Sequence, residues 1–174
     1  MEIKKCKPAD VEHIMNLYAA ARQLQTERQM VIWPYFNEAF LTREIEESRQ
    51  WKLVVYQTMV CNWAITFEDK EIWGEKDQAD AIYIHRIATH PLYRGNRFID
   101  AIVSWAIAYA RSINRTYVRL DTLGHNTRLI EHYTSAGFHF LGMHKLTNTA
   151  TLPLHYQREP NCCLFELSTA AVNL

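Results

Sequence analysis

The sequence predicts an α/β protein in which a mixed sheet carries helices on both faces. Three observations lead there. Helical and strand-like periodicities alternate along the 174 residues in the order strand, two helices, three strands, helix, strand, helix, two strands. Apolar residues make up 48% of the chain against only five glycines and five prolines, a balance that supports a packed core over disorder. No Ser/Gly linker, charge block or repeat divides the chain, so a single domain over residues 1–174 is expected.

Each element has its own signal. Ile3, inside a short polar-flanked run, reads as a first strand. Pro8 suits a first helical turn, with Asp10 and Glu12 near its positive end. Val11, Ile14, Tyr18, Ala21 and Leu24 then recur at helical spacing, giving a helix from Pro8 to about Arg28. Trp33, Pro34, Tyr35 and Phe36 form an aromatic loop. Asn37 caps a second helix to about Ser48, with Phe36 and Leu41 at staple spacing. Trp51 to Gln57 and Val60 to Glu68 read as a hairpin broken at Thr58-Met59, and Asp69 to Asp80 as a polar loop. Ala81 to Thr89 is the next strand, ended by His90-Pro91. The helix Phe98 to Ile113 should bury Ile102, Trp105, Ala106, Tyr109 and Ile113. Thr116 to Thr122 is a strand, and Asn126 to Ala136 a helix stopped by Gly137. Phe138 to Leu146 and Cys162 to Ser168 close the sheet across a long loop containing Pro153 and Pro160.

Charge and cysteine usage exclude several functions. Nineteen basic and nineteen acidic residues leave a formal charge of zero, without the basic excess that nucleic acids or anionic membranes require, so neither is expected as a partner. The richest apolar stretch, Ala101 to Ala110, falls far short of the ~20 residues of a membrane span. The N-terminus lacks the apolar core of a secretory signal, and a cytoplasmic protein is expected. Cys6, Cys61, Cys162 and Cys163 form no C-x-x-C pair and are expected as reduced structural thiols. The eight histidines supply no zinc-finger-like spacing, so no metal is expected.

Chemistry concentrates where the strand ending Ile87-Ala88-Thr89 passes through His90-Pro91-Leu92-Tyr93-Arg94-Gly95-Asn96-Arg97 into the helix starting Phe98-Ile99. A helix start presents unpaired amides and partial positive charge, a natural seat for a pyrophosphate. Here the sequence resembles the GNAT family of N-acetyltransferases. Ile87, Thr89 and Pro91 match that family's strand pattern of hydrophobic-x-hydrophobic-x-Pro, and its pyrophosphate turn, Gln/Arg-x-x-Gly-x-Gly/Ala, falls on Arg94 to Ile99. Asn126, Tyr133 and Gly137-Phe138 keep the spacing of its second motif, N-x₆-Y-x₃-G-F. The departure is at the two glycine positions, which hold Arg97 and Ile99. A side chain where φ must be positive costs ~1–2 kcal/mol, whereas both residues are tolerated if they lie in the first helical turn.

The resemblance implies an acyl-CoA N-acyltransferase fold with a mostly antiparallel sheet. It also implies acetyl transfer from acetyl-CoA to an amine of a small molecule or peptide, in a ternary complex without an acyl-enzyme. Ile87, Ala88 and Thr89 would bind the pantetheine arm, and Arg94, Gly95, Asn96, Arg97, Phe98 and Ile99 the pyrophosphate. Asn126 would contact the cofactor arm, and Tyr133 would protonate the departing thiolate. For the base, His85 comes first and Asp121 second, with a water chain as a third route. Trp33, Tyr35 and Phe36 fall where the family shapes its acceptor site, and core closure explains them equally well. A homodimer stays open. Two other readings remain: a non-catalytic CoA-binding or regulatory module with a degenerate turn, and an interaction domain using the aromatic loop.

Overall fold

The computed structural model describes residues 1–171. In chain order the elements are β1 (Glu2–Lys5), a 3-10 turn (Pro8–Asp10), α1 (Val11–Glu27), α2 (Glu38–Glu46), β2 (Gln50–Val55) and β3 (Thr58–Thr66). There follow α3 (Lys70–Trp73), a 3-10 turn (Gly74–Lys76), β4 (Ala81–Thr89), a 3-10 turn (Pro91–Tyr93), α4 (Phe98–Ser112) and β5 (Tyr117–Leu123). The chain continues through α5 (Thr127–Ser135), β6 (His139–Lys145), α6 (Leu154–Arg158), β7 (Asn161–Ser168) and a last 3-10 turn (Thr169–Ala171). The strands form one seven-stranded mixed sheet in the order β1-β2-β3-β4-β5-β7-β6. β4 and β5 run parallel, while the pairs β1–β2, β2–β3, β5–β7 and β6–β7 run antiparallel. Among the described residues no helix is long and apolar enough to cross a membrane.

The described residues separate into two compact units, one of Met1–Ile65 with His85–Arg97, the other of Thr66–Ile84 with residues 98–171. In the first, Ile14, Leu17 and Tyr18 of α1 pack with Leu41 and Ile45 of α2, Met59 of β3 and Ala88 of β4. Ile14 and Leu41 are fully buried, and each such side chain contributes ~1.5–3 kcal/mol. Asn37 caps α2 as expected, its side chain accepting from the Phe40 amide at 2.8 Å. In the second unit, Ile72, Trp73, Ala81, Tyr83, Leu146, Leu152, Cys162 and Leu164 form a cluster. All four cysteines are free and buried.

The structure corrects several local expectations. The β2–β3 hairpin turns at Tyr56-Gln57, not Thr58-Met59; both turn residues have positive φ (45° and 65°) in a pair without the Gly or Asn that usually announces such a turn. The Asp69 to Asp80 segment holds α3, whose Ile72 and Trp73 are core. The buried face of α4 is Ile99, Ile102, Val103, Ala106, Ile107 and Ala110. Trp105 and Tyr109 are instead stacked on each other at 5.3 Å, as i and i+4 neighbours. The long loop before β7 contains α6. Cys162 and Cys163, on alternate faces of β7, are both fully buried because that strand is covered on each side.

Candidate functional site

In the first unit the expected cofactor strand is the second half of β4. Ala88 is 1% exposed, Thr89 Oγ1 lies 3.5 Å from Cys61 Sγ, and the His90 amide donates to the Val60 carbonyl at 2.9 Å. Arg86, in mid-strand, has φ +53°, so two-residue alternation does not carry from His85 to Ile87. Desolvation of the half-buried His85, then the charges of Arg86 and Arg49, lower its imidazole to about 3, leaving it neutral at physiological pH.

After β4, His90 Nδ1 accepts the Leu92 amide at 3.3 Å, starting the Pro91–Tyr93 turn. Arg94 donates from its guanidinium to the Ala20 carbonyl of α1 at 3.0 Å, and the Asn96 side chain donates to the Tyr93 carbonyl at 2.8 Å. Gly95 has φ +87° with open space where a Cβ would stand. Arg97 has φ +49°: this position does adopt the left-handed backbone that glycine favours, so the family departure here carries strain. Ile99 behaves differently, 4% exposed inside α4 with no positive φ, a core residue that tolerates its side chain.

The aromatic loop divides. Trp33 and Phe36 pack edge-on against Tyr18 at 5.8 and 5.4 Å, and the Trp33 backbone is tied at both ends, its amide to Gln25 Oε1 (2.9 Å) and its carbonyl to Arg22 Nε (3.1 Å). Tyr35 is 66% exposed. The Arg86 guanidinium lies over the Phe36 ring at 4.9 Å and the Phe40 ring at 5.2 Å, so a protein cation occupies those aromatic faces.

In the second unit Asn126 caps α5, its Oδ1 accepting from the Leu129 amide at 3.2 Å. Gly137 follows the helix with φ +101°. Tyr133, half-buried on α5, contacts Phe165 at 5.3 Å and Phe138 at 6.1 Å. On β5, Asp121 Oδ2 accepts from the Tyr156 hydroxyl at 3.2 Å. Burial lifts Asp121 to about 6. A carboxylate oxygen of Asp69 lies within 4.8 Å of one of Asp121. Burial first, then the negative charges of Asp121, Asp77 and Glu71, raise Asp69 to about 8. Asp69 Oδ2 is buried without a hydrogen-bond partner. Asp77 joins this group to the core, accepting from the Asp69 amide at 2.7 Å and the Tyr83 hydroxyl at 2.9 Å.

Sequence reasoning weighed Asp121 but missed Asp69 and Tyr156, which lie in segments without strong periodicity. Glu44 and Arg86 were missed as well. A charged pair at a buried helix face and in a strand interior was the available signal, legible only once the burial is known.

The acetyltransferase (GNAT) family model matches residues 31–138 of the chain. The uncharacterized N-acetyltransferase YesJ of Bacillus subtilis is 27% identical over 74 residues, a match covering 42% of this chain and 41% of that protein. Among solved structures, a GNAT-family acetyltransferase from Listeria monocytogenes superposes with a TM-score of 0.75 at 18% identity, covering 96% of this chain and 94% of that one. The Salmonella typhimurium protein yncA, whose structure contains its cofactor acetyl-CoA, gives a TM-score of 0.70 at 12% identity over 99% and 96% of the two chains. A Vibrio cholerae spermidine N-acetyltransferase SpeG chimera gives 0.68 at 13% identity over 98% and 97%. At these identities the structural likenesses speak for the fold alone.

Proposed function

Because this chain belongs to the GNAT family of acetyltransferases, we propose that it moves an acetyl group from acetyl-CoA to a primary amine of a small molecule or peptide, by direct attack in a ternary complex. The observation that carries the reading is the strand-turn-helix from Ile87 to Ile99. Gly95 and Arg97 both take left-handed backbone there, while Ile99 turns into the core, leaving Arg97 as the one replacement whose exposed side chain stands at the turn.

Backbone groups of Ile87, Ala88 and Thr89 hold the pantetheine arm by strand-like hydrogen bonds, and one amide there polarises the thioester carbonyl. Amides of Arg94 to Ile99 hold the pyrophosphate, with Arg97 adding charge. Asn126 contacts the cofactor arm. The acceptor ammonium loses one proton to become nucleophilic, and its nitrogen attacks the thioester carbon to give a tetrahedral adduct. Collapse of that adduct breaks the C–S bond, the Tyr133 hydroxyl protonates the leaving thiolate, and the second proton shed by the nitrogen passes through water to restore the Tyr133 hydroxyl. The proton from the amine passes to Asp121, whose affinity near 6 suits a base at neutral pH and whose carboxylate the Tyr156 hydroxyl orients. His85, held near 3, is too weak a base for that step. With Trp33 and Phe36 committed to core contacts, Tyr35 is the aromatic loop residue available to an acceptor.

Titration calorimetry with acetyl-CoA and CoA, followed by thiol release across a panel of primary amines, tests this. Binding with turnover on at least one amine is expected; no binding of either cofactor form defeats the reading. The strained Arg97 favours a second reading, a module that binds CoA without transferring acetyl. Binding without thiol release on any amine is its signature.

A further inference from the structure

Arg86 holds its left-handed backbone inside a strand, where a residue with a Cβ does not settle without support from its surroundings. Its guanidinium is enclosed to an unusual degree. NH2 donates to both oxygens of Glu44 at 2.6 Å, Nε donates to the Tyr18 hydroxyl at 3.3 Å, and the Phe36 and Phe40 rings cover it. Glu44 is 1% exposed and accepts two further bonds, from Arg49 NH1 and Gln50 Nε2, each at 2.7 Å. Gln50 in turn donates to the Tyr18 hydroxyl at 3.3 Å and accepts from Asn62 Nδ2 at 2.8 Å. One carboxylate on α2 thus bonds directly to β2 and β4, and Gln50 and Arg86 extend the network to Asn62 of β3 and Tyr18 of α1.

Buried ion pairs add little net stability over apolar side chains of equal volume, because removing both charges from water costs about what their attraction returns. What such a pair does supply is a fixed geometry: with NH2 on the carboxylate and Nε on the Tyr18 hydroxyl, the planar guanidinium admits one orientation. The residue fixed in this way immediately precedes Ile87.

We propose that Arg86, clamped by Glu44, is a positioning residue that sets the backbone of Ile87 to Thr89 and thereby the affinity for the acyl-CoA arm. This rests on the reading that those three residues bind acetyl-CoA. Arg86 touches neither cofactor nor acceptor in this scheme and acts through the strand.

The test uses the full chain, with CoA as the probe in calorimetry and the backbone amide resonances of Ile87, Ala88 and Thr89 as a spectroscopic signature. Arg86→Gln should weaken CoA binding by about tenfold and shift those three amides. Arg86→Gly accepts positive φ but lacks the fork, and should weaken binding as much; Arg86→Lys keeps the charge and should recover part of it. If Arg86→Gln does not fold, Arg86→Lys carries the same comparison. CoA affinity within twofold of the parent in folded Arg86→Gly overturns the clamp, since the backbone alone would then suffice. Unmoved amides at 87–89 overturn it too. Should the parent chain fail to bind CoA, the acetyltransferase reading falls while the amide shifts still decide whether the clamp sets the strand.

Discussion

Replacing Arg97 separates backbone strain from side-chain charge. Arg97→Ala and Arg97→Gly both remove the guanidinium and whatever it contacts, so their difference isolates the backbone at φ +49°. A residue with a Cβ in the left-handed region costs ~1–2 kcal/mol relative to one without. Glycine returns part of that, ~0.4–1 kcal/mol, through the greater freedom of its unfolded chain. The glycine variant should therefore be more stable than the alanine variant by about 1 kcal/mol. For a chain of this size that is a rise in Tm of roughly 2–4 °C. Differential scanning calorimetry on the two variants and the parent reads it directly. Equal midpoints, or a lower one for glycine, would refute the argument that this turn demands a glycine-like backbone. CoA calorimetry on the same pair asks whether the charge matters: if Arg97 assists the pyrophosphate, both variants bind more weakly than the parent, the glycine one in spite of its relaxed backbone.

Other substitutions address the proposed chemistry. Tyr133→Phe should lower turnover by about 10²-fold with CoA affinity unchanged, because only the proton donor is lost; turnover near the parent value would remove Tyr133 from the acid role. Asp121 serves as base only when ionised, so the rate at limiting acceptor should climb as pH rises through about 6, and Asp121→Asn should abolish that limb. A limb that survives in Asp121→Asn assigns the base elsewhere. Asp69 bears on stability with the opposite sign from an ordinary carboxylate: the folded chain keeps its proton to about 8, the unfolded chain releases it near 4, so folding binds a proton between these values and stability falls as pH rises across them. Thermal midpoints of Asp69→Asn measured from pH 4 to pH 9 should lack that share of the decline, and parallel curves for variant and parent would contradict it.

The sequence announced elements whose signals are local. Asn37 and Asn126 cap their helices through side chains that act within three residues, and Gly137 ends α5 with a backbone only its own lack of a Cβ makes easy. Strand Ala81–Thr89 was legible from β-rich composition closed by His90-Pro91. Misses arise where tertiary packing overrules pattern. Trp105 and Tyr109 count as apolar in any periodicity, yet they stack on each other, and the smaller Val103, Ile107 and Ala110 are buried instead. The Tyr56-Gln57 turn carries no residue that favours positive φ, so only the strand register reveals it. At the candidate site the Arg94 to Ile99 turn was readable because its spacing is contiguous. Asp69, Asp121 and Tyr156 are far apart in sequence, and their shifted protonation arises from burial that no linear pattern records. Arg86 reads as an ordinary strand charge until its partner Glu44, 42 residues away, is seen beneath it.

The buried cysteines have a practical consequence. Burial raises the thiols of Cys6, Cys61 and Cys162 to about 12, 11 and 12, and that of Cys163 upward as well, so at neutral pH none offers an appreciable fraction of thiolate. A chromogenic disulfide added to a folded sample should thus stay nearly colourless until a small-molecule thiol is released. Free CoA can be counted continuously against a quiet protein background, and the slow appearance of colour without any acceptor becomes an optical gauge of how often the fold opens.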